Sequence, residues 1–515
     1  MNAKKLFVWL LVVCLLAVSF CSCGNQNNSA NAPEETTDAP IDTTPVQIED
    51  EGINFWVENN AGFDNAIEGA AEDFEYEIVN VATVTILSYK GTQEHLIIPS
   101  IIEGLPVTAI ADGAFAVVEE EKKEENQETT AETTLETTEE TTEETTEDTT
   151  QEEVPEEPQS FLKTLILPDS ITSIGKGILA GCETLHSLQT PLMGENKEST
   201  QYLGYLFGAT RHEDNARDIP VSLKCLCITG AWETLPAYSL FDCNDLICLG
   251  LPQTLTVIEK FALYNCASLK QIDSLQNVVT FGDRALMNCS SLQILTLGDA
   301  LETVGFAAFE GCDSIRSLTL PFVGYSREEN TYLGYIFGAA HPDFAKGFYP
   351  KNLARVTLTD ACKTLDHYAF FECTSLKEII FPEGLTSIGV RAFYGCTSLW
   401  NVKLPDSVTA IRELAFANCD ALTIIDFGKG LTSIGINAFY NCDSLTEVVL
   451  PESLKSIPAS CFAGCISLSK IHLGGVSEVG AEAFRHCNAV TVVTASGKVT
   501  FEKGNESVKS ILNSK

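Results

Sequence analysis

The cysteines keep a ruler. They stand at Cys243, Cys266, Cys289 and Cys312 and again at Cys373, Cys396, Cys419, Cys442 and Cys465, with a constant step of 23, and Cys487 follows after 22. The steps from Cys182 to Cys243 and from Cys312 to Cys373 are both 61, which is 23 plus 38. A fixed period of this length marks stacked repeats and argues against a string of unrelated globular domains.

One period read from Leu376 shows what is repeated. Leu376, Ile379 and Phe381 have strand spacing, Leu385 and Ile388 make a second short strand, and Ala392, Phe393 and Cys396 have the spacing of a helical turn. Pro382 and Gly389 stand at the two corners, where proline and glycine let the backbone turn. The next period repeats it with Leu399, Val402, Leu404, Val408, Ile411, Ala415, Phe416 and Cys419. A single coil has two apolar edges and nothing to cover them, so it folds only in a stack. The register predicts 12 coils over residues 99–472. At about 4.8 Å per strand, that is a solenoid roughly 55 to 60 Å long.

A larger repeat overlies the small one. At an offset of 130, residues 191–209 align without gaps with 321–339, sharing Tyr202-Leu203-Gly204-Tyr205 with Tyr332-Leu333-Gly334-Tyr335. A block of several coils was duplicated, and each copy carries a 38-residue excursion that reads as a loop or small subelement, near 190–222 and 322–352.

The flanks differ in kind from the repeats. Of the formal charge of −39, residues 1–159 carry −30 and the remainder −9, which disfavours nucleic acid as a partner. Lys4 and Lys5 precede an apolar run over residues 6–20 and then Cys21-Ser22-Cys23-Gly24, the pattern of an export signal. Ser22-Cys23 resembles a bacterial lipoprotein processing site, with Cys23 the lipidated residue; ordinary cleavage and secretion is the alternative. Residues 24–73 read as a flexible stalk. Residues 119–159 read as a disordered insertion, its acidic residues and threonines leaving almost nothing to bury. Residues 74–118 read as a β cap with the first repeat, 160–493 as the solenoid and 494–515 as a cap or tail.

The Leu-x-x-Ile-x-Leu-Pro, Thr-Ser-Ile-Gly, Ala-Phe and Gly-Cys-x-Ser-Leu elements together resemble the BspA-like class of bacterial leucine-rich repeats over about residues 76–493. The resemblance implies a curved solenoid of right-handed coils on an exported surface protein, each coil with two short parallel strands and a short helical turn. It also implies adhesion to host matrix proteins or to other cells.

The chemistry of the sequence is that of a binding protein. Eleven cysteines share one repeat position (Cys182, Cys243, Cys266, Cys289, Cys312, Cys373, Cys396, Cys419, Cys442, Cys465 and Cys487). Parallel side chains on neighbouring coils do not give the facing geometry of a disulfide, so these read as buried thiols acting as small hydrophobes. Off the ladder, Cys225 and Cys227 could be disulfide partners or a metal clip, although a lone Cys-x-Cys has no second half. The seven histidines form no ligand set or triad, and no phosphate loop, nucleophile elbow or zinc motif occurs. No cofactor or metal is expected. Binding candidates are the outward positions of the first strand: Lys377, an exposed Trp400, Lys403, Asp426, Glu447, Lys470 and His472. Tyr205 and Tyr335 of the excursions read first as packing residues and second as ligand contacts. The expected function is a non-catalytic adhesin-like protein at the outer membrane face, lipid-anchored or secreted, binding an extracellular protein or glycan. A structural or assembly protein of the envelope is the alternative, and less so a carbohydrate-active enzyme.

Overall fold

Sixteen short strands pair in parallel, one per coil, at the same place in each coil, in a computed structural model of the chain. They are Ile67–Glu68, His95–Ile97, Thr164–Ile166, Ser187–Thr190, Cys225–Ile228, Cys248–Gly250, Gln271–Asp273, Ile294–Thr296, Ser317–Leu320, Arg355–Leu358, Glu378–Ile380, Asn401–Lys403, Ile424–Asp426, Glu447–Val449, Lys470–His472 and Val490–Thr494. The structure describes residues 61–117, 161–199, 201–329, 331–488, 490–494 and 497–501, all within the compact unit Thr44–Lys515. The segment expected to be an export signal, Cys23 and the acidic Thr-rich tract lie outside the described residues. A column of second strands runs alongside, for example Thr364–Leu365, Ser387–Ile388, Ala410–Ile411 and Ser433–Ile434, again parallel. The repeat is a two-stranded parallel coil with a turn, as its apolar spacing predicts.

The stack is longer than the 12 coils counted from sequence. Its first strand, Ile67–Glu68, pairs with His95–Ile97, so ordered structure begins within the segment expected to be a stalk. The antiparallel hairpin of Phe74–Val79 and Thr83–Tyr89 joins Leu105–Ile110 and so closes the second-strand column. At the other end Val490–Thr494 turns back on Gly497–Phe501, an antiparallel cap.

The turn column explains the residues around each cysteine. The residue five before the ladder cysteine and the residue just before it both have positive φ: Arg391 (55°) and Gly395 (70°) before Cys396, Leu414 (56°) and Asn418 (57°) before Cys419. Left-handed backbone favours Gly and Asn, which accounts for Gly-Cys and Asn-Cys at this position. The conformation points alternate N–H groups along the stack. Arg391, Phe393 and Gly395 donate to the carbonyls of Glu413, Ala415 and Ala417 one coil on, at 3.0, 2.7 and 2.9 Å. The turn is therefore hydrogen-bonded between coils much as a sheet is, and the cost of left-handed Leu414 or Phe261, about 1–2 kcal/mol each, is offset by these bonds.

Inside the turn, the buried phenylalanines Phe370, Phe393, Phe416, Phe439, Phe462 and Phe484 stack face to face with centroids 5.0–5.8 Å apart. Buried alanines (Ala392, Ala415 and Ala438) precede three of them and leave room for the rings. The cysteines do more than fill space. Cys396, Cys419 and Cys442 Sγ each donate to the carbonyl of the phenylalanine one coil earlier (Phe370, Phe393 and Phe416) at 3.2 Å. A thiol is apolar enough for the core and still a donor, which neither alanine nor valine is.

The first-strand ladder divides twice, between Gln271–Asp273 and Ile294–Thr296 and between Ile424–Asp426 and Glu447–Val449, and the coil at the first division is irregular. Where its neighbours place an inward Leu251 or Leu297, it has Ser274 at φ 71°, and the buried residue is Leu275, one later. No residue is inserted, since the step stays 23, and the sheet divides at this coil between Gln271–Asp273 and Ile294–Thr296. Turn-column bonds from Leu286 to Ala308 (2.8 Å) and from Asn288 to Glu310 (2.7 Å) carry the stack across the division.

Candidate binding surface

Because strand residues alternate, the first strands of the later coils bury their middle residue and present the flanking two: Val402 is buried between Asn401 and Lys403, Ile425 between Ile424 and Asp426. Parallel pairing in register aligns these outward positions into two columns. Asn401 faces Ile424 and Lys403 faces Asp426; two coils on, Glu447 faces Lys470 and Val449 faces His472. Register thus brings Lys403 beside Asp426, and Glu447 beside Lys470, in two neighbouring sheets.

Part of its charge is already matched. Lys470 Nζ and His472 Nε2 both reach Glu447 Oε1, at 2.6 and 2.8 Å, and hold its carboxyl below the usual range, the lysine bond first. Arg355 Nε meets Glu378 Oε2 at 2.8 Å. Lys403 and Asp426 are exposed between these pairs, flanked by exposed Ile380, Ile424 and Val449. The face is mixed, with aliphatic side chains among charges. Lys377, just before its strand, is half-buried. Trp400 is half-buried as well, not exposed as expected: its carbonyl takes bonds from Thr423 N and Oγ1 at 3.0 Å, and its indole N–H has no partner among the described residues.

The two 38-residue excursions are not loops added to a coil; each is a coil. In the first, Leu203–Phe207 takes the place of the turn, with Gly177 and Leu179 donating to Tyr205 and Leu206 and Leu203 donating to Ser239. In the second, Leu333–Phe337 does the same between Ala307 and Ala369. Tyr205 and Tyr335 pack edge-on against Tyr202 and Tyr332 at 6.3 and 6.2 Å, which is the packing role expected of them.

The long coils end in a short extra element, and each solves the same two problems with different residues. In a regular coil the carbonyl after the turn phenylalanine takes an N–H from the coil before, as Tyr394 takes Glu372 N at 2.7 Å, whereas in the coils that follow the two long ones the carbonyls of Phe241 and Phe371 take a side-chain donor. Asn215 Nδ2 donates to the first at 2.8 Å; where the second copy has Ala345, the buried hydroxyl of Tyr349 donates at 2.9 Å. Burial pushes the Tyr349 hydroxyl well above its usual range, so it remains a donor. At the corner, Trp232 Nε1 binds the Pro191 carbonyl (2.8 Å) and Lys197 the Ala231 carbonyl (3.1 Å). The second copy has Cys362 in place of the tryptophan, and one guanidinium, Arg327, reaches both equivalent carbonyls, Pro321 at 3.1 Å and Ala361 at 3.4 Å. These corners line two open cavities, about 840 Å³ beside Lys197 and about 140 Å³ beside Arg327. Tyr349→Phe is expected to lower stability by about 1–3 kcal/mol by leaving a buried carbonyl unpaired. Adding Ala345→Asn should recover much of it in thermal melts, whereas no recovery would show that the two copies do not share this device.

All eleven ladder cysteines are buried thiols, none of them in a disulfide. Off the ladder, Cys225 is disulfide-bonded to Cys248, and Cys227 remains a thiol. A Cys225–Cys227 pairing is thus excluded in favour of a neighbouring strand. Cys225 and Cys248 are register partners 23 residues apart, the same separation as between ladder cysteines that stay thiols, so spacing alone did not mark the pair. Among the described residues no group of three or more His, Cys, Asp or Glu is placed to hold a metal ion, and no helix is long and apolar enough to cross a membrane.

Two parallel strands, a turn and an inward leucine or isoleucine pattern, repeated at the period of the cysteine ruler, define a leucine-rich-repeat solenoid. The chain belongs to the family of BspA type leucine rich repeat regions, whose sequence profile matches it in 6 copies over residues 158–201, 221–332, 345–451 and 389–506. The matches skip residues 202–220 and 333–344, which lie within the two long coils. Among solved structures it is similar to a leucine-rich repeat protein from Bacteroides ovatus ATCC 8483, at 18% identity over 81% of this chain and 92% of that one with a TM-score of 0.29. It is similar also to a leucine rich cell surface protein from Faecalibacterium prausnitzii A2-165 (17% identity, 82% and 87% coverage, TM-score 0.21). A third is the pneumococcal vaccine antigen PcpA (14% identity, 82% and 85% coverage, TM-score 0.24). No curated protein matches it.

Proposed function

We propose that the chain is a non-catalytic, adhesin-like surface protein that binds an extracellular protein or glycan along its first-strand face, and that Cys23 anchors it to the membrane by lipid. The observation that carries this reading is the pair of outward columns in strict register, a preordered face on which Lys403 and Asp426 stand exposed among Ile380, Ile424 and Val449. Such a face loses little side-chain and backbone freedom on binding, so many modest contacts can sum. The export signal at residues 4–23 supports the location, and the deep burial of the ladder thiols supports a non-catalytic role, since a buried thiol kept protonated is no nucleophile.

The test is a cell-binding assay against immobilised matrix proteins and glycans. A charge reversal at two exposed positions, Lys403→Glu with Asp426→Lys, should weaken binding at least about tenfold without changing the melting temperature. Cys23→Ala should move the protein from the cell surface to the medium. Unchanged binding by the first variant would remove this face from the reading; unchanged surface retention by the second would remove the anchor.

A further inference from the structure

The duplicated coils offer an internal comparison, and at one place they diverge as a set. Beyond its turn, the first long coil carries Arg211, Asp214, Arg217 and Asp218 on a short helical element. Arg217 pairs with Asp214 at 3.2 Å and with Asp218 at 2.7 Å, and Arg211 with Asp214 at 3.5 Å. At the offset of the duplication the second coil has His341, Phe344, Gly347 and Phe348 in their places. Its element, Pro342–Gly347, leaves Phe344 70% and Phe348 39% exposed. Every member of the ion-paired cluster has been exchanged, and two carboxylates have become aromatic rings in water. The coil does not need them for its core, since the first copy closes the same turn with polar residues. Exposed phenylalanine is unfavourable in solution, and paired aromatic side chains of this kind are what interfaces use as anchors.

We infer that Phe344 and Phe348 form a two-fold contact with a second copy of this chain. The charges beside them are self-complementary. Asp343 lies on one side of Phe344, its carboxylate 3.4 Å from His341 Nδ1; Lys346 lies on the other, exposed and without an ion-pair partner among the described residues. A two-fold axis at Phe344 sets each Asp343 against the partner's Lys346 while the rings pack on one another, which is the isologous arrangement most homodimers adopt. The element belongs to the turn side of its coil, so the contact leaves the first-strand face free and does not depend on what that face binds.

The experiment is sedimentation equilibrium of the full chain over roughly 1–300 μM, the range in which a contact of two aromatic anchors and two ion pairs is read. The expected result is a monomer–dimer equilibrium with a dissociation constant on the order of 10–100 μM. Phe344→Asp with Phe348→Asp should raise it at least about 100-fold while far-UV circular dichroism and the melting temperature stay as they are. Phe344→Ser with Phe348→Ser should do the same without adding charge. Asp343→Lys and Lys346→Asp should each weaken association roughly tenfold, because the two-fold doubles every change, and together they should restore it. A chain monomeric throughout the range would overturn the inference. So would a dimer indifferent to both phenylalanine variants, or a double charge swap that fails to rescue.

Discussion

Raising the pH from 8.5 to 10 will unfold the solenoid. Burial pushes the ladder thiols up, to about 12 for Cys373 and Cys487 and well above the ordinary value for Cys396 and Cys419. In the unfolded chain they titrate near 8.5. Their folded values being raised, the stability they contribute is fully present below about pH 8.5 and is lost as the pH climbs toward 12, because the unfolded chain releases protons that the folded chain keeps. Each thiol then costs about 1.4 kcal/mol per pH unit. Nine ladder thiols are raised in this way, and over this interval they sum to roughly 15 kcal/mol, as much as the whole stability of an ordinary domain. Circular dichroism and the reactivity of thiols toward a disulfide reagent should change together between pH 9 and 10 and return on neutralisation under reductant. A solenoid still folded and unreactive at pH 10.5 would refute the account of the ladder.

Phe416→Ala will cut the column of stacked phenylalanines near its middle. Phe416 is fully buried between Phe393 at 5.0 Å and Phe439 at 5.4 Å, both rings nearly parallel to it. Truncation costs about 3–5 kcal/mol for the lost burial and the cavity. In a linear array it also weakens the coupling between the coils on either side, so unfolding should separate into two transitions. Phe484→Ala is the comparison: Phe484 is the last phenylalanine of the series and stacks on Phe462 at 5.8 Å. It should fray the C-terminal coils and leave the main transition near its original midpoint. Urea melts with hydrogen exchange distinguish the two variants, and equal losses would show that position in the array does not matter.

Much of this was readable in advance for a plain reason. A constant period aligns every coil with the next, so whatever one coil buries they all bury, and the inward Leu399, Val402, Leu404, Ile411 and Phe416 are recoverable from spacing alone. Less legible were the ends. Ile67–Glu68 and Val490–Thr494 pair with the array without carrying its motif, and the capping hairpins have none of its pattern. The left-handed residues were half visible: Gly or Asn before a cysteine marks one site, while Arg391, Leu414 and Tyr368 give no sign of the other, because there the inter-coil hydrogen bonds hold the conformation and not the residue's own preference.

By itself the chain's composition and period determined a stacked, two-strand coil with thiols, alanines and phenylalanines inside and Lys403, Asp426 and Glu447 turned out. Only the tertiary structure decided that the 38-residue segments are coils, that Cys225 joins Cys248, that Trp400 is half covered, and that Asn215 and Tyr349 serve the same purpose in the two copies. The physical reason is one of reach. Periodicity states which way a side chain points along its own coil, whereas hydrogen bonds and disulfides join atoms of different coils, and which atoms meet depends on how the coils are laid against each other.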